Sequence, residues 1–273
     1  MKKFKPLLIV LLLVFSFYYT NKITDILENI DPIMKEIKIT TKKYEIKPIN
    51  AKINSNRITS GKKGRTIDYK KSYHKMKKYG TYNESLTVLK EVKPTISIDN
   101  NYDKYIVGGN YHNRNIALVF IVDNNPNKII NILNKKKVPG TFFIDRNYLE
   151  KNINIIKDLS NYEIELLNYN NKSLLDTTNS YINTITNKRS KYCYTEKDNQ
   201  ELLDFCSSMK MHTIKPNLII NSNLYHNLRT NINNSQIISL KINNYIEKEL
   251  AISIDFIKSK GYNLVTLDEL LKE

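Results

Sequence analysis

Residues 116–122 read IALVFIV, seven apolar side chains in succession. A strand with one wet face changes polarity at every second residue. An unbroken run suits a strand covered on both faces, as in parallel sheets flanked by helices. Asn124-Asn125-Pro126-Asn127 ends the run and offers a helix cap. Residues 128–136 follow with Ile129, Ile132 and Leu133 on one face, and Val138-Pro139-Gly140 stops them. Residues 141–144, TFFI, read as a second short strand. The alternation continues through an amphipathic stretch at 147–159 and a strand at 162–167. Helices are expected at 198–209 and 246–260, and strands at 237–242 and 262–266, with Gly261 placed as a helix C-cap. Strands and helices alternating at short spacing predict an α/β fold with a parallel sheet or barrel.

The amino terminus sets the compartment. Residues 1–5, MKKFK, are a short basic flank, and residues 7–19, LLIVLLLVFSFYY, hold Ser16 as the strongly polar exception. Counted from Phe4, the apolar stretch is about 16 residues, between the roughly 7–15 of a signal-peptide core and the roughly 17–25 of a spanning helix. TNKITDILENI follows and lacks the small-residue pattern that cleavage needs. The reading is an uncleaved signal anchor over residues 1–24. Lys2, Lys3 and Lys5 stay cytoplasmic by the positive-inside rule, against the more dispersed Lys22, Lys35 and Lys38. The remainder is then extracytoplasmic in a single-pass membrane protein, and membrane contact runs through residues 4–19.

Residues 21–34 continue as a helical stalk, with Ile23, Ile26, Leu27 and Ile30 at helical spacing. Residues 35–105 are short of long apolar runs and read as a basic linker or an ordered wrapping arm, with a small helix over 82–92. Between 35 and 80 stand 15 Lys+Arg against 3 Asp+Glu, so this segment carries +12 of the chain's +16. Such a local excess suits an anionic neighbour or a solvated linker. Outside a cytoplasm, nucleic acid is excluded as partner and anionic envelope polymers are expected. Two cysteines and four histidines exclude a disulfide framework and a four-cysteine zinc site.

Three stretches resemble the polysaccharide deacetylases, the carbohydrate esterases that share the nodulation-protein homology domain. Residues 116–120, IALVF, and 138–144, VPGTFFI, are similar to that family's opening pair, which reads like VALTFDDG and VKATFFV. Tyr162-Glu163-Ile164 sits where the family has its HEIGNH strand, and residues 258–271, KSKGYNLVTLDELL, resemble its usual ending. The resemblance covers residues 106–273 and implies a distorted (β/α) barrel of about seven strands, here preceded by a membrane helix and a basic arm at 25–105. It also implies deacetylation of glycans by a metal, usually zinc, on one Asp and two His, with a second Asp as base and a late His as acid.

The positions for that chemistry are changed. The paired aspartates fall at Ile121 and Val122, and the two metal histidines at Leu167 and Asn171. Of the family's Arg-Pro-Pro-Tyr-Gly-like stretch only a Tyr is kept in Lys191-Tyr192-Cys193-Tyr194-Thr195. The late His falls at Lys241. No metal ligand set is matched, which reads as a catalytically inactive relative.

Asp123 remains as the candidate catalytic residue, or as a turn or cap aspartate, displaced by one residue and so turned to the other face of its strand. A carboxylate set of Asp123 with Glu163 and Glu165 is a further option. Tyr169, Tyr192 and Tyr194 are candidates for stacking on sugar rings, with Tyr162 and Tyr181 near the same loops, or are ordinary Tyr usage in a Trp-free chain. His212 and His226 read as isolated surface or loop residues. Cys193 and Cys206 are open to a disulfide, to a free thiol at Cys193, or to a Cys–His pair with His212.

Three functions follow in order of preference. The first is an inactive, membrane-anchored deacetylase-like protein binding cell-wall polysaccharide or an envelope partner, with no cofactor. The second is an envelope or spore assembly protein docking through its basic segment. The third is an active, divergent deacetylase built around Asp123, which alone calls for zinc or another divalent metal.

Overall fold

The structure, a computed structural model, describes residues 5–273, with side-chain surroundings from Val10 onward. Lys2, Lys3 and Phe4 of the expected anchor lie outside the described residues. In chain order the elements are α1 (Lys5–Ile30), α2 (Pro32–Thr40), β1 (Lys52–Asn54), β2 (Arg57–Thr59), β3 (Gly64–Ile67), α3 (Tyr69–Lys77), β4 (Leu89–Val92), β5 (Tyr105–Gly108) and β6 (Asn115–Val122). Then come α4 (Asn127–Lys136), β7 (Thr141–Asp145), α5 (Arg146–Lys151), α6 (Ile155–Asp158), β8 (Glu163–Leu167), α7 (Lys172–Thr186), β9 (Tyr192–Tyr194) and α8 (Gln200–Ser208). The chain closes with β10 (His212–Ile214), β11 (Leu218–Ile220), α9 (Leu224–Asn231), β12 (Gln236–Lys241), α10 (Asn244–Ser259), β13 (Asn263–Val265) and α11 (Leu267–Leu271). They gather in two compact units, one of residues up to 48 with 63–92, the other of residues 49–62 with 93–273.

In the first unit, Val10–Ile30 of α1 is long and apolar enough to cross a membrane, and its large apolar side chains are exposed. Asp31 ends α1 and starts α2. Pro32 removes an amide that a cap would otherwise have to satisfy, and Asp31 Oδ1 accepts from Ile33 N at 2.9 Å. Ile33, Met34 and Ile37 of α2 pack on Ile67 and on Tyr73 and Met76 of α3. The ends of α1 and α3 are tied by Lys70–Asp25 at 2.6 Å, His74–Glu28 at 3.6 Å and Lys77–Asp31 at 2.6 Å. The small helix expected over 82–92 is instead a 3-10 turn at Glu84–Leu86 followed by β4, which pairs antiparallel with β3. Val92 of β4, with Thr66 and Ile67 of β3, is β-branched and favours the ladder.

The second unit is α/β. Eleven strands join one mixed sheet whose main path runs β1-β2-β5-β12-β6-β7-β8. β6 lies between β12 and β7, parallel to both, in register from Gln236↔Ile116 to Lys241↔Ile121 and from Val119↔Thr141 to Val122↔Ile144. Its apolar run is divided between two cores. Ile116, Leu118, Phe120 and Val122 face a core shared with Ile129 and Leu133 of α4 and Ile254 and Ile257 of α10. Ala117, Val119 and Ile121 face an inner core with Phe143, Tyr194, Ile214 and Ile237. Strands β5, β6, β7, β9, β10 and β12 thus turn one face toward a common interior, as in a barrel.

No ladder closes the sheet between β8 and β9. A side chain bridges them instead. Glu165 Oε2 accepts from Lys191 N at 2.7 Å, Tyr192 N at 2.9 Å and Ser190 Oγ at 2.7 Å, and Ser190 Oγ accepts from Leu166 N at 3.1 Å. Buried backbone donors that lack a strand partner need another acceptor, and the carboxylate supplies it.

Candidate active-site mouth and seam cavity

In parallel α/β sheets, reacting groups gather at the C-terminal strand ends. Here those ends are Val122 of β6, Asp145 of β7, Leu167 of β8 and Lys241 of β12. Asp123 follows β6 directly, and its Oδ2 lies 3.0 Å from Lys241 Nζ, with the side chains 34% and 55% exposed. Asn124 Nδ2 donates to Asp123 Oδ1 at 3.2 Å and to Ile242 O at 2.8 Å, which holds the loop onto the end of β12. The Asp123 carboxylate pushes the Lys241 ammonium up in pKa. Lys241 therefore stays a cation and cannot serve as a proton donor near neutrality.

The remaining positions are occupied by packing and capping. Ile121 lies in the inner core and Val122 in the outer one. Leu167 packs on the inner core, and Asn171 Oδ1 accepts from Leu174 N at 3.1 Å as the cap of α7. Asp145 caps α5 through Asn147 N at 2.8 Å and Tyr148 N at 3.3 Å. Among the described residues no group of three His, Cys, Asp or Glu is placed to hold a metal ion. The apolar Val122 and Leu167 do not fit one either.

Asp123 does not meet Glu163 or Glu165. Glu163 pairs in register with Thr141 at the start of β7, whereas Asp123 follows Val122, the partner of Ile144. Asp123 therefore stands four residues of strand beyond the level of Glu163, about 13 Å at ~3.3 Å per residue. Glu163 serves α11, accepting from Leu267 N at 2.7 Å, Asp268 N at 3.0 Å and Thr141 Oγ1 at 2.6 Å. Burial pushes its pKa up to about 7, against the lowering hydrogen bond from Thr141. Burial, with Glu163 nearby, raises Glu165 well above the usual carboxylate range.

His212 is not a surface residue. It is buried on β10, stacked on Tyr102 at 4.3 Å between ring centroids, and burial lowers its pKa. The strand is three residues long, too short for a pattern to reveal. His226 is exposed on α9. Cys193 and Cys206 form a disulfide that fastens β9 to α8, so neither is a nucleophile and the Cys–His pairing falls away.

The tyrosines separate. Tyr192 is buried with its hydroxyl donating to Asp268 Oδ1 at 2.8 Å, and it faces a cavity of about 720 Å³ with Tyr102 and His212. Tyr162 is buried and bonded to Asn134 Oδ1 at 2.8 Å, and Tyr181 is exposed on α7. Tyr194 packs on Phe143 and shares a 2.7 Å hydrogen bond with Ser239 Oγ. Tyr194 and Tyr169 meet at a second cavity, of about 560 Å³, at the seam between β8 and β9. Sequence reasoning named both residues but had no signal for the cavity, which exists because two strands fail to pair.

No family model matches the chain. A solved structure, the wild-type CE4 family pseudoenzyme of Bacillus anthracis, matches with a TM-score of 0.66 at 24% identity, covering 89% of this chain and 96% of that one. The fold is that of the family 4 carbohydrate esterases. A mutant of that CE4 pseudoenzyme with restored enzymatic activity matches with the same TM-score and identity, over 89% of this chain and 99% of the other. Bacillus subtilis PdaA, a family 4 carbohydrate esterase, matches with a TM-score of 0.53 at 20% identity, over 63% of this chain and 86% of its own. The uncharacterized protein YlxY of Bacillus subtilis (strain 168) is 26% identical over 272 residues, 89% of this chain and 84% of that protein. The resemblance to polysaccharide deacetylases read from residues 116–120, 138–144 and 258–271 is thus matched in the CE4 architecture.

Proposed function

We propose that the protein is a membrane-anchored, extracytoplasmic relative of the polysaccharide deacetylases that has lost hydrolysis and binds cell-wall glycan. One observation carries this reading. In this reading the C-terminal mouth presents Val122, Leu167 and Asn171 where deacetylation needs a metal-binding Asp and two His, and its carboxylates are engaged elsewhere, Asp123 with Lys241 and Asp145 as the cap of α5. The similarity to a pseudoenzyme supports it. So does the restored activity of that pseudoenzyme's mutant, which fits a scaffold that outlasts its chemistry.

In this reading residues 1–24 anchor the chain and residues 25–105 form the stalk and basic arm. Residues 106–273 carry the deacetylase-like domain, with β1 and β2 of the arm joined to its sheet through β5. Residues 4–19 contact lipid, and the cytoplasmic side is set by Lys2, Lys3 and Lys5. The test is acetate release from N-acetylglucosamine oligomers and from peptidoglycan by the full chain in detergent, with and without zinc. We expect no release and measurable sedimentation with peptidoglycan. Zinc-dependent release that disappears in Asp123→Ala would overturn the inactive assignment, and absence of any sedimentation would overturn glycan binding.

A further inference from the structure

β8 and β9 are held together at one end by Glu165 and left apart at the other. The cavity of about 560 Å³ opens where the bridging stops, beside Leu166 and Tyr194. Its opposite wall is α8, fixed to β9 by the Cys193–Cys206 disulfide. The volume falls in the range of small-ligand sites, about 300–1,000 Å³.

We propose that this seam cavity binds an amino-sugar residue bearing a free amine, within the glycan that the proposed function assigns to the protein. The inference rests on that glycan reading and adds the form of sugar that is read. Charge is the first argument. The chain carries 43 Lys+Arg, yet among the described residues none lines this cavity. Its one charged lining group is Glu201, in the first turn of α8, exposed and without an ion-pair partner among the described residues. An anionic ligand would meet a carboxylate and no cation. An ammonium gains from Glu201, and an acetamide at the same place does not.

Shape and hydrogen bonding are the second argument. Tyr169, Tyr194 and Phe205 supply aromatic surface, on which the apolar face of a pyranose ring packs. Asn168, Asn170 and Asn199 bring side-chain amides that donate and accept, as ring hydroxyls require. Asn168 stands at φ +64°, a left-handed conformation that Asn tolerates well, and it donates through Nδ2 to Asp145 Oδ2. The loop after β8 is therefore fixed, not free to collapse into the opening. The site adjoins the β8 side of the mouth through Asn168, but neither Asp123 nor Lys241 lines it.

The test is calorimetric titration of the full chain in detergent at about pH 6 with glucosamine oligomers and with N-acetylglucosamine oligomers of equal length. The net positive charge of the chain repels the first set, so non-specific attraction cannot mimic a preference for it. We expect glucosamine oligomers to bind about tenfold more tightly, the scale of one well-placed charge contact. Glu201→Gln, an exposed substitution, should erase the preference, while Phe205→Ala weakens both ligands. Equal or tighter binding of the acetylated oligomer, or a preference unchanged in Glu201→Gln, overturns the inference. Peptidoglycan binding that persists in both variants sinks the cavity and leaves the glycan reading standing. No binding of any glycan by the unaltered chain removes both.

Discussion

Lys241 Nζ stands 3.0 Å from Asp123 Oδ2 where β6 and β12 end side by side, so the carboxylate best placed for chemistry is neutralised by a fixed cation. Both side chains are more than a third open to solvent or close to it, which limits the strength of the pair. We expect Asp123→Ala and Lys241→Ala each to change stability by less than about 1 kcal/mol in urea denaturation. A loss of several kcal/mol would mean the pair holds the mouth together.

Glu163 makes the fold sensitive to rising pH between about 4.5 and 7. Its folded pKa, about 7, lies above the ordinary value of 4.5. A group raised in this way gives its full stabilisation below about pH 4.5 and loses it as pH climbs through 7. The span corresponds to roughly 3 kcal/mol. Thermal melts of the native chain and Glu163→Gln should therefore diverge between pH 5 and 8, with the variant gaining relative to the native chain as pH rises. Parallel curves would show that Glu163 does not titrate in this window. His212, lowered by burial, acts in the opposite direction as pH falls below its ordinary 6.5 and does not contribute to the divergence.

Glu165 stands in for a missing strand ladder. Glu165→Ala leaves Lys191 N, Tyr192 N and Ser190 Oγ without their acceptor. Each unsatisfied buried donor costs about 1–3 kcal/mol, so a loss of roughly 3 kcal/mol or more is expected. Glu165→Gln keeps one acceptor oxygen and should lose less. Equal stability of Glu165→Ala and the native chain in urea would refute the bridging role.

The Cys193–Cys206 bond closes a short loop, at a sequence separation of 13. Replacing both with Ser should cost about 2–4 kcal/mol. Because the bond ties β9 to α8, the same variant should show faster amide hydrogen exchange across α8 (Gln200–Ser208). Unchanged exchange there would show that α8 is held by its packing alone.

The central sheet was readable because β6 is buried on both faces, and its seven apolar residues fill two cores. The same signal is absent from β9, β10 and β11, each three residues long. They are strands because of their neighbours. The first unit was hidden for a related reason. Ile33, Ile37, Ile67, Tyr73 and Met76 are scattered over more than forty positions and become a core only when α2, β3 and α3 meet. At the site, the resemblance alone set Val122, Leu167 and Asn171 against the family's metal-ligand positions. The Asp123–Lys241 contact needed the parallel register of β6 and β12, and the placement of Glu163 at the far end of its strand needed the register of β7 and β8. The seam cavity had no sequence signal, since it follows from a pairing that does not form.

The most direct test of the central claim, that the mouth carries no catalytic metal site, is calorimetric titration of zinc into the full chain in detergent, beside Asp123→Ala. The expected result is no specific heat in either protein. Tight binding by the native chain that is lost in Asp123→Ala would contradict it and place a working metal centre at the end of β6.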